Sequence, residues 1–423
     1  MSRNEAIIRE AKRKTLSFMH NAAYKTESYR LKAILEEYDP SVCIQKKPER
    51  VKTVTFIITR MVRFHGGQTS ILHLGTELEK QGYKVCYLSC KEQSPEEMEL
   101  CANANLPGYK GRVFAVNRYL AAIKRGKIKE PDVVVASSWD TVSFALKFTS
   151  SYKMYFVQDY EPLFYKFGEE YLMCRNTYAQ GLHMVSLGEW NRRMILKDFN
   201  DEYNPGTYAE RTEDDPANIK TCKNKNITLD VVSFPYDSEG YEHLERNFED
   251  YPRKNKITLA VYLKYYGKRL PNLIPYMLEN TAVKLKEKGI ELELLYFGEA
   301  KTFSPRGGRN LGQLSREELK ELYRKADFGM VASMSNISLV PYEMHASGLP
   351  VIEFGDGSYP FFFGQDTAIL TKIGEKDIAD KLLDAISNPA KLKEMDRLAN
   401  SKLEDLSWER TASEFGEILK ACK

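Results

Sequence analysis

The chain has 423 residues, 43% of them hydrophobic, with 62 Lys and Arg against 59 Asp and Glu for a formal charge of +3. At roughly 150 residues per domain, this length predicts two or three domains, each able to bury its own core. The near balance of charge argues against a dedicated nucleic-acid binder, which carries a strong basic excess.

Residues 1–50 hold eleven Lys and Arg and seven Asp and Glu, a charge of +4 that leaves the remainder at −1. Ile8, Ala11, Met19 and Ala22 fall near helical spacing, as do Leu31, Ile34, Leu35 and Tyr38, so a helical arm is expected there. Arg9, Lys12, Arg13 and Lys14 cluster on its first helix. Two readings stay open, an arm packed on the body or an interfacial helix drawn to an anionic membrane surface through residues 1–40. The charged start lacks the apolar core of a signal peptide, and no run approaches the roughly 18 apolar residues of a membrane span. Cys43, Cys86, Cys90, Cys101, Cys174, Cys222 and Cys422 show neither zinc-type spacing nor a disulfide framework. A cytoplasmic protein is expected, at most peripheral on the inner face of the cell membrane.

Strand and helix alternate from Val51 onward. VKTVTFII, YKVCYLS, PDVVVASS (131–138) and YKMYFVQD (152–159) read as strands, and TSILHLGTELEKQG carries helical spacing. Asn200 to Asn226 is polar and predicts an insertion or loop. LDVVSFPYD (229–237) reads as one more strand, and EGYEHLERNFEDYPRKNK (239–256) as a polar bridge. A second series follows in ITLAVYL (257–263), LIPYMLENTAVKLKEKG, IELELLYFG, SREELKELYRKAD, FGMVAS and LPVIEFG. The fold class is therefore α/β, with two Rossmann-like doubly wound domains facing a cleft. The expected division is a helical arm at 1–50, a first domain at 51–240, a second at 241–405 and a terminal helix at 406–423 that crosses back.

Four segments carry chemistry. Arg63-Phe64-His65-Gly66-Gly67-Gln68 follows a strand and opens a helix, where glycines admit close backbone approach and free N–H groups attract an anion. It is not a G-x-G-x-x-G, which disfavours a dinucleotide-dependent dehydrogenase. Lys264, Lys268 and Arg269 crowd the loop after ITLAVYL, which suits a diphosphate. Ser335, Asn336, Ser338 and Leu339 lead into a short helix bearing Glu343, a carboxylate placed to accept from ribose hydroxyls while loop N–H groups meet phosphate. Gln158-Asp159-Tyr160-Glu161 ends a strand of the first half. On an extended chain Asp159 and Glu161 share parity and project to one side. The six histidines have no metal spacing, and neither a G-x-S-x-G elbow nor a P-loop occurs.

Glu343 with Met-His-Ala-Ser-Gly-Leu-Pro-Val-Ile resembles the E-A-x-A-x-G-x-P-V-I signature of family 4 GT-B glycosyltransferases. Gln158-Asp159-Tyr160-Glu161-Pro162 is similar to the Q-D-Y-E-P segment of the S-layer rhamnan rhamnosyltransferase group. The resemblance covers roughly 51–423 and implies transfer of a sugar, with L-rhamnose from dTDP-L-rhamnose expected, onto a growing cell-surface polysaccharide or glycan acceptor. It implies retention of anomeric configuration, and the scheme needs no metal and no cofactor beyond the donor substrate. Family 4 enzymes often carry E-x7-E, whereas Ser335 stands eight residues before Glu343, which favours a deoxysugar with fewer hydroxyls to grip.

On this reading Gly66, Gly67, Lys264, Arg269, Gly298, Gly312, Ser335, Asn336, Ser338, Leu339 and Glu343 hold the donor. Arg63, His65, Gln158, Asp159 and Tyr160 face the acceptor, and Asp159, Glu161 and Arg269 serve the reaction. Expected partners are a nucleotide-sugar, a glycan or lipid-linked glycan acceptor and a second copy in a homodimer, with no nucleic acid. A sugar-nucleotide epimerase on the same fold and a noncatalytic glycan-binding scaffold are the alternatives.

Overall fold

The computed structural model describes residues 12–26, 28, 48–200, 228–236, 240–265 and 267–421. The predicted arm helix around Leu31 to Tyr38, Arg9, and residues 201–226 of the polar stretch lie outside the described residues.

The first sheet contains β1 (Thr53–Ile58), β2 (Lys84–Ser89), β3 (Arg112–Ala115), β4 (Val133–Ala136), β5 (Tyr152–Val157), β6 (His183–Leu187) and β7 (Thr228–Val232). Their order is β3-β2-β1-β4-β5-β6-β7, and every pairing is parallel. The second sheet contains β8 (Lys256–Tyr262), β9 (Glu291–Phe297), β10 (Arg309–Asn310), β11 (Phe328–Met330), β12 (Val351–Phe354) and β13 (Ile369–Thr371). It too is parallel throughout, in the order β10-β9-β8-β11-β12-β13. Helices cover both faces, so β4, β5 and β12 are buried along their whole length and read as largely apolar runs rather than alternating ones, with Lys153 in β5 and Glu353 in β12 as buried charged residues. Both sheets reverse direction next to their first strand, which opens a crevice at the carboxyl ends of β1 and β4 and of β8 and β11.

The helix Gly66–Lys80 lies on the first sheet through Ile71, Leu72, Leu74 and Leu78. Gly75 is required there, because a Cβ at that position would sit 2.2 Å from the Tyr87 hydroxyl. Tyr87 is fully buried and donates to Lys110 O, so its ring has little room to yield. Gly75→Ala should therefore cost about 1–3 kcal/mol in a urea unfolding curve, and an unchanged midpoint would show the ring free to move.

The segment expected as a polar bridge is anchored to the second domain instead. Phe248 and Tyr251 are buried in a 3-10 turn, and the Arg246 guanidinium donates to the carbonyls of Gly348, Ala326 and Tyr323 at 2.5, 2.6 and 2.5 Å. Polar composition concealed this because one cation satisfies several carbonyls left open where helices end. The last helix, Trp408–Ala421, lies on the first domain. Trp408 stacks on His73 at 4.8 Å, Phe415 meets Phe56 and Phe156, and Glu414 accepts from the Ser233 N–H and hydroxyl.

Candidate functional site

The second-domain wall of the cleft is built by loops leaving β8, β9 and β11. After β8, Lys264 is half-buried, and its ammonium is held below the ordinary value by desolvation, with Glu299 opposing. Arg269 ends a 3-10 turn and is only 5% exposed. Its Nη1 donates to Ala332 O at 2.6 Å and its guanidinium lies 5.7 Å from the Tyr262 ring centre, so it braces the wall from behind. Gly298 and Gly312 both adopt positive φ, and the Gly298 N–H donates to Gly312 O at 2.8 Å. A Cβ on Gly298 would strike the Tyr262 ring at 2.6 Å, so the structure itself demands glycine there.

The Ser333–Ser338 loop leaves β11 and is fixed by a carboxylate that sequence reasoning did not single out. Glu353, fully buried in β12, accepts from the Ser333 N–H at 3.0 Å and from its hydroxyl at 2.6 Å. Burial pushes its carboxyl up to about 8, while Ser333 and the positive charge of Arg269 oppose. A lone Glu inside the apolar run LPVIEFG is the signal that marks it, since a charge at a fully covered strand position needs dedicated partners.

Beyond the loop, the helix Leu339–Ala346 begins at Ser338 with no side-chain cap. The Ser338 hydroxyl and Asn336 Oδ1 are buried with no hydrogen-bond partner among the described residues. Glu343 is half-buried on this helix, and its carboxylate accepts from the Tyr323 hydroxyl at 3.3 Å and lies against Tyr241.

The first-domain wall starts with the loop after β1. Gln68 and Asn105 pin it, Gln68 accepting from the Val62 N–H and donating to Arg60 O, and Asn105 accepting from the His65 N–H and donating to Val62 O. Arg63 is exposed on this loop, and Phe64 is exposed with a left-handed φ of 55°. His65 caps the helix that follows. It keeps an open surface, yet desolvation and then Lys264 and Lys268 hold its imidazole below the ordinary value, which leaves it neutral near pH 7. Neither Gly66 nor Gly67 has positive φ. Gly66 has nothing near a Cβ, whereas a Cβ on Gly67 would lie 3.4 Å from Gln158 Oε1.

At the end of β5 the expected geometry changes. Asp159 and Glu161 do not project to one side, because the chain leaves the extended form at Tyr160 and enters a 3-10 turn over Glu161–Phe164. Pro162 fits such a turn, and side-chain parity holds only on an extended strand. Glu161 points into the first domain, where it accepts from the Trp139 N–H at 2.7 Å and burial raises its carboxyl to about 8. Tyr160 does not face an acceptor. It is buried, donates to Asp198 and stacks on Tyr178.

Asp159 does reach the cleft and crosses it. Its carboxylate accepts from Lys268 Nζ at 2.5 Å, from the Ser335 hydroxyl at 3.0 Å and from the Asn336 N–H at 3.0 Å. Asn336 Nδ2 donates back to Gln158 O at 2.8 Å and to Leu187 O at 3.3 Å. Lys268 also lies 4.1 Å from the Phe164 ring centre, and desolvation holds its ammonium below the ordinary value while Asp159 opposes. The cleft thus brings together His65, Gly67, Gln158 and Asp159 with Lys264, Lys268, Ser335 and Asn336, and leaves Tyr160 and Glu161 outside. Among the described residues, no group of three or more His, Cys, Asp or Glu is arranged to hold a metal ion.

No protein-family model matches the chain. The O-antigen biosynthesis protein RfbC of Myxococcus xanthus is 23% identical over 394 residues, which cover 88% of this chain but 27% of RfbC, so the chain spans about a quarter of that relative. Among solved structures, HepE of Anabaena in complex with UDP-glucose superposes with a TM-score of 0.63 at 9% identity, covering 87% of this chain and 99% of HepE. Sucrose-phosphate synthase of Thermosynechococcus elongatus gives 0.61 at 12%, covering 88% and 98%. A TarM variant of S. aureus in complex with Fondaparinux, alpha-GlcNAc-glycerol and UDP gives 0.61 at 10%, covering 87% and 100%. Two facing, doubly wound parallel sheets of this order, superposed over nearly the whole of such chains, establish that the protein has the GT-B fold.

Proposed function

We propose that the chain is a glycosyltransferase that moves a sugar from a nucleotide-activated donor to a glycan or lipid-linked glycan acceptor. The carrying observation is the cleft itself, where cations and the uncapped start of the helix Leu339–Ala346 face His65, Gln158 and Asp159. On this reading Lys264 and Lys268 meet the diphosphate, Arg269 adds its charge from behind, and the N–H groups beyond Ser338 take a phosphate oxygen. Charge builds on the departing diphosphate in the transition state, so fixed cations there lower the barrier. Glu343, oriented by Tyr323, accepts from the ribose. Neutral His65 is suited to hydrogen bonding with a sugar hydroxyl, and a dry cleft favours transfer over hydrolysis.

The resemblance noted at Gln158–Pro162 favours dTDP-L-rhamnose as donor, with retention, and the relative in O-antigen biosynthesis favours a polysaccharide acceptor. Thermal shifts with dTDP-, UDP- and GDP-sugars test this. A ligand at a hundred times its Kd adds about 2.7 kcal/mol. Stabilisation by dTDP-L-rhamnose above the others is expected. A preference for UDP-sugars would overturn the rhamnose assignment, and no shift with any would overturn the donor reading. Product formation should require acceptor, whereas isomerisation of the donor alone would indicate an epimerase. Chelation by EDTA should leave turnover unchanged, because side-chain cations carry the neutralising charge.

The arm supports a membrane role. Residues 12–26 form a helix with every residue exposed, including Leu16, Phe18 and Met19. At 100° per residue Leu16, Phe18, Met19, Ala22 and Ala23 share one side with Lys12 among them, and Arg13, Lys14 and Lys25 lie on the other. Such a helix lies in an anionic interface, burying apolar side chains while its cations meet headgroups. No helix among the described residues is long and apolar enough to cross a membrane. Phe18→Glu with Met19→Glu should abolish co-sedimentation with phosphatidylserine vesicles, and unchanged sedimentation would make the arm structural.

A further inference from the structure

Asp159 is held in an unusual way for a residue of the first domain: all three donors to its carboxylate belong to the second. They are the ammonium of Lys268, the hydroxyl of Ser335 and the main-chain N–H of Asn336, at 2.5, 3.0 and 3.0 Å. An ammonium, a hydroxyl and a loop N–H just before a helix N-terminus are also the set that grips a phosphate oxygen. The junction is dry, since Asp159, Ser335 and Asn336 are all buried. A diphosphate and this carboxylate cannot share those donors, because two like charges at hydrogen-bond separation repel strongly where water is excluded.

We propose that Asp159 is a cross-cleft positioning residue that occupies the anion seat of the second domain, and that the diphosphate of the donor displaces it. The proposal rests on the glycosyltransferase reading of this cleft. While seated, Asp159 keeps Lys268 and the Ser335–Asn336 turn aimed into the cleft and ties the two domains together. Loading the donor exchanges carboxylate for phosphate on the same three groups. The neutral bonds from Asn336 Nδ2 to Gln158 O and Leu187 O need not break, so the exchange is local and the domains stay in register. Nucleotide affinity then carries a cost, since only the fraction of molecules with Asp159 withdrawn is competent to bind.

Asp159→Asn tests this, with dTDP and UDP titrated calorimetrically into the full chain. The variant should bind the preferred nucleoside diphosphate roughly five-fold or more tightly than the parent, because the competing charge is gone. A merely structural role would weaken binding rather than tighten it. Equal or weaker binding by the variant, with the parent still binding, would overturn the exchange and leave the reading of the site standing. Loss of binding in both proteins would overturn that reading and the exchange with it. If the Asn variant does not fold, Asp159→Ser removes the same charge with a smaller side chain and is held to the same outcomes.

Discussion

Glu353→Gln is expected to stabilise the protein at pH 8 and to change little at pH 4. The carboxyl of Glu353 is raised from 4.5 to about 8 by its burial in β12, so the folded chain keeps a proton there that the unfolded chain has lost. A group raised in this way contributes stability that is fully present below about pH 4.5 and is lost as pH climbs through about 8. The full difference is on the order of 5 kcal/mol. Glutamine has the same shape and never ionises, so the gap between variant and parent should open from near zero at pH 4.5 to most of that amount by pH 8.5. Urea unfolding at several pH values measures it, and parallel curves would show that Glu353 ionises freely in the fold. Glu161, buried against the Trp139 N–H, should behave in the same sense.

Arg269→Ala should lower kcat/KM for the nucleotide-sugar by about a hundred- to a thousand-fold, the usual loss when a preorganised charge at a departing anion is removed. It should also cost about 1–3 kcal/mol of stability, since the Ala332 carbonyl loses its 2.6 Å partner. Arg269→Lys separates the two effects. Lysine restores the charge but not the planar donor set, so activity should recover further than stability. Turnover and melting are read on the same preparations. If Arg269→Ala turns over like the parent, the guanidinium plays no part in the chemistry.

The sequence made the two sheets legible because buried parallel strands are compact apolar runs, and VVVA of β4 or YKMYFV of β5 can hardly be read otherwise. The helix Arg316–Lys325 opens on a capping box in which the side chains of Ser315 and Glu318 pair, a motif local to the sequence. The short strands β10, with two residues, and β13, with three, carry no periodicity to detect. At the site, the loops after β1, β8 and β11 were found because glycines, cations and small polar residues at strand ends are local signals. Strand parity fails at Glu161 because the chain enters a proline turn, and Tyr160, placed on the acceptor side by the resemblance alone, is buried. The Asp159–Lys268 pair spans 109 residues and has no local signature at all. Only the facing of the two domains creates it.

The last helix returns to lie on the first, so the chain passes between the domains twice, once after Ser233 and again before Trp408. A single tether would leave the halves free to swivel, whereas two side-by-side crossings act like the spine of a book and restrict them to rotation about one line. The same arrangement makes the first domain incomplete by itself. A polypeptide stopped after Tyr236 would lack Phe415, leaving Phe56 and Phe156 uncovered and the hydroxyl of Ser233 without its carboxylate. Independent preparation of that half calls for the final fourteen-residue helix to be supplied as a second peptide, and recovery of cooperative unfolding on mixing would measure how much of the fold is stored in the last turn of the chain.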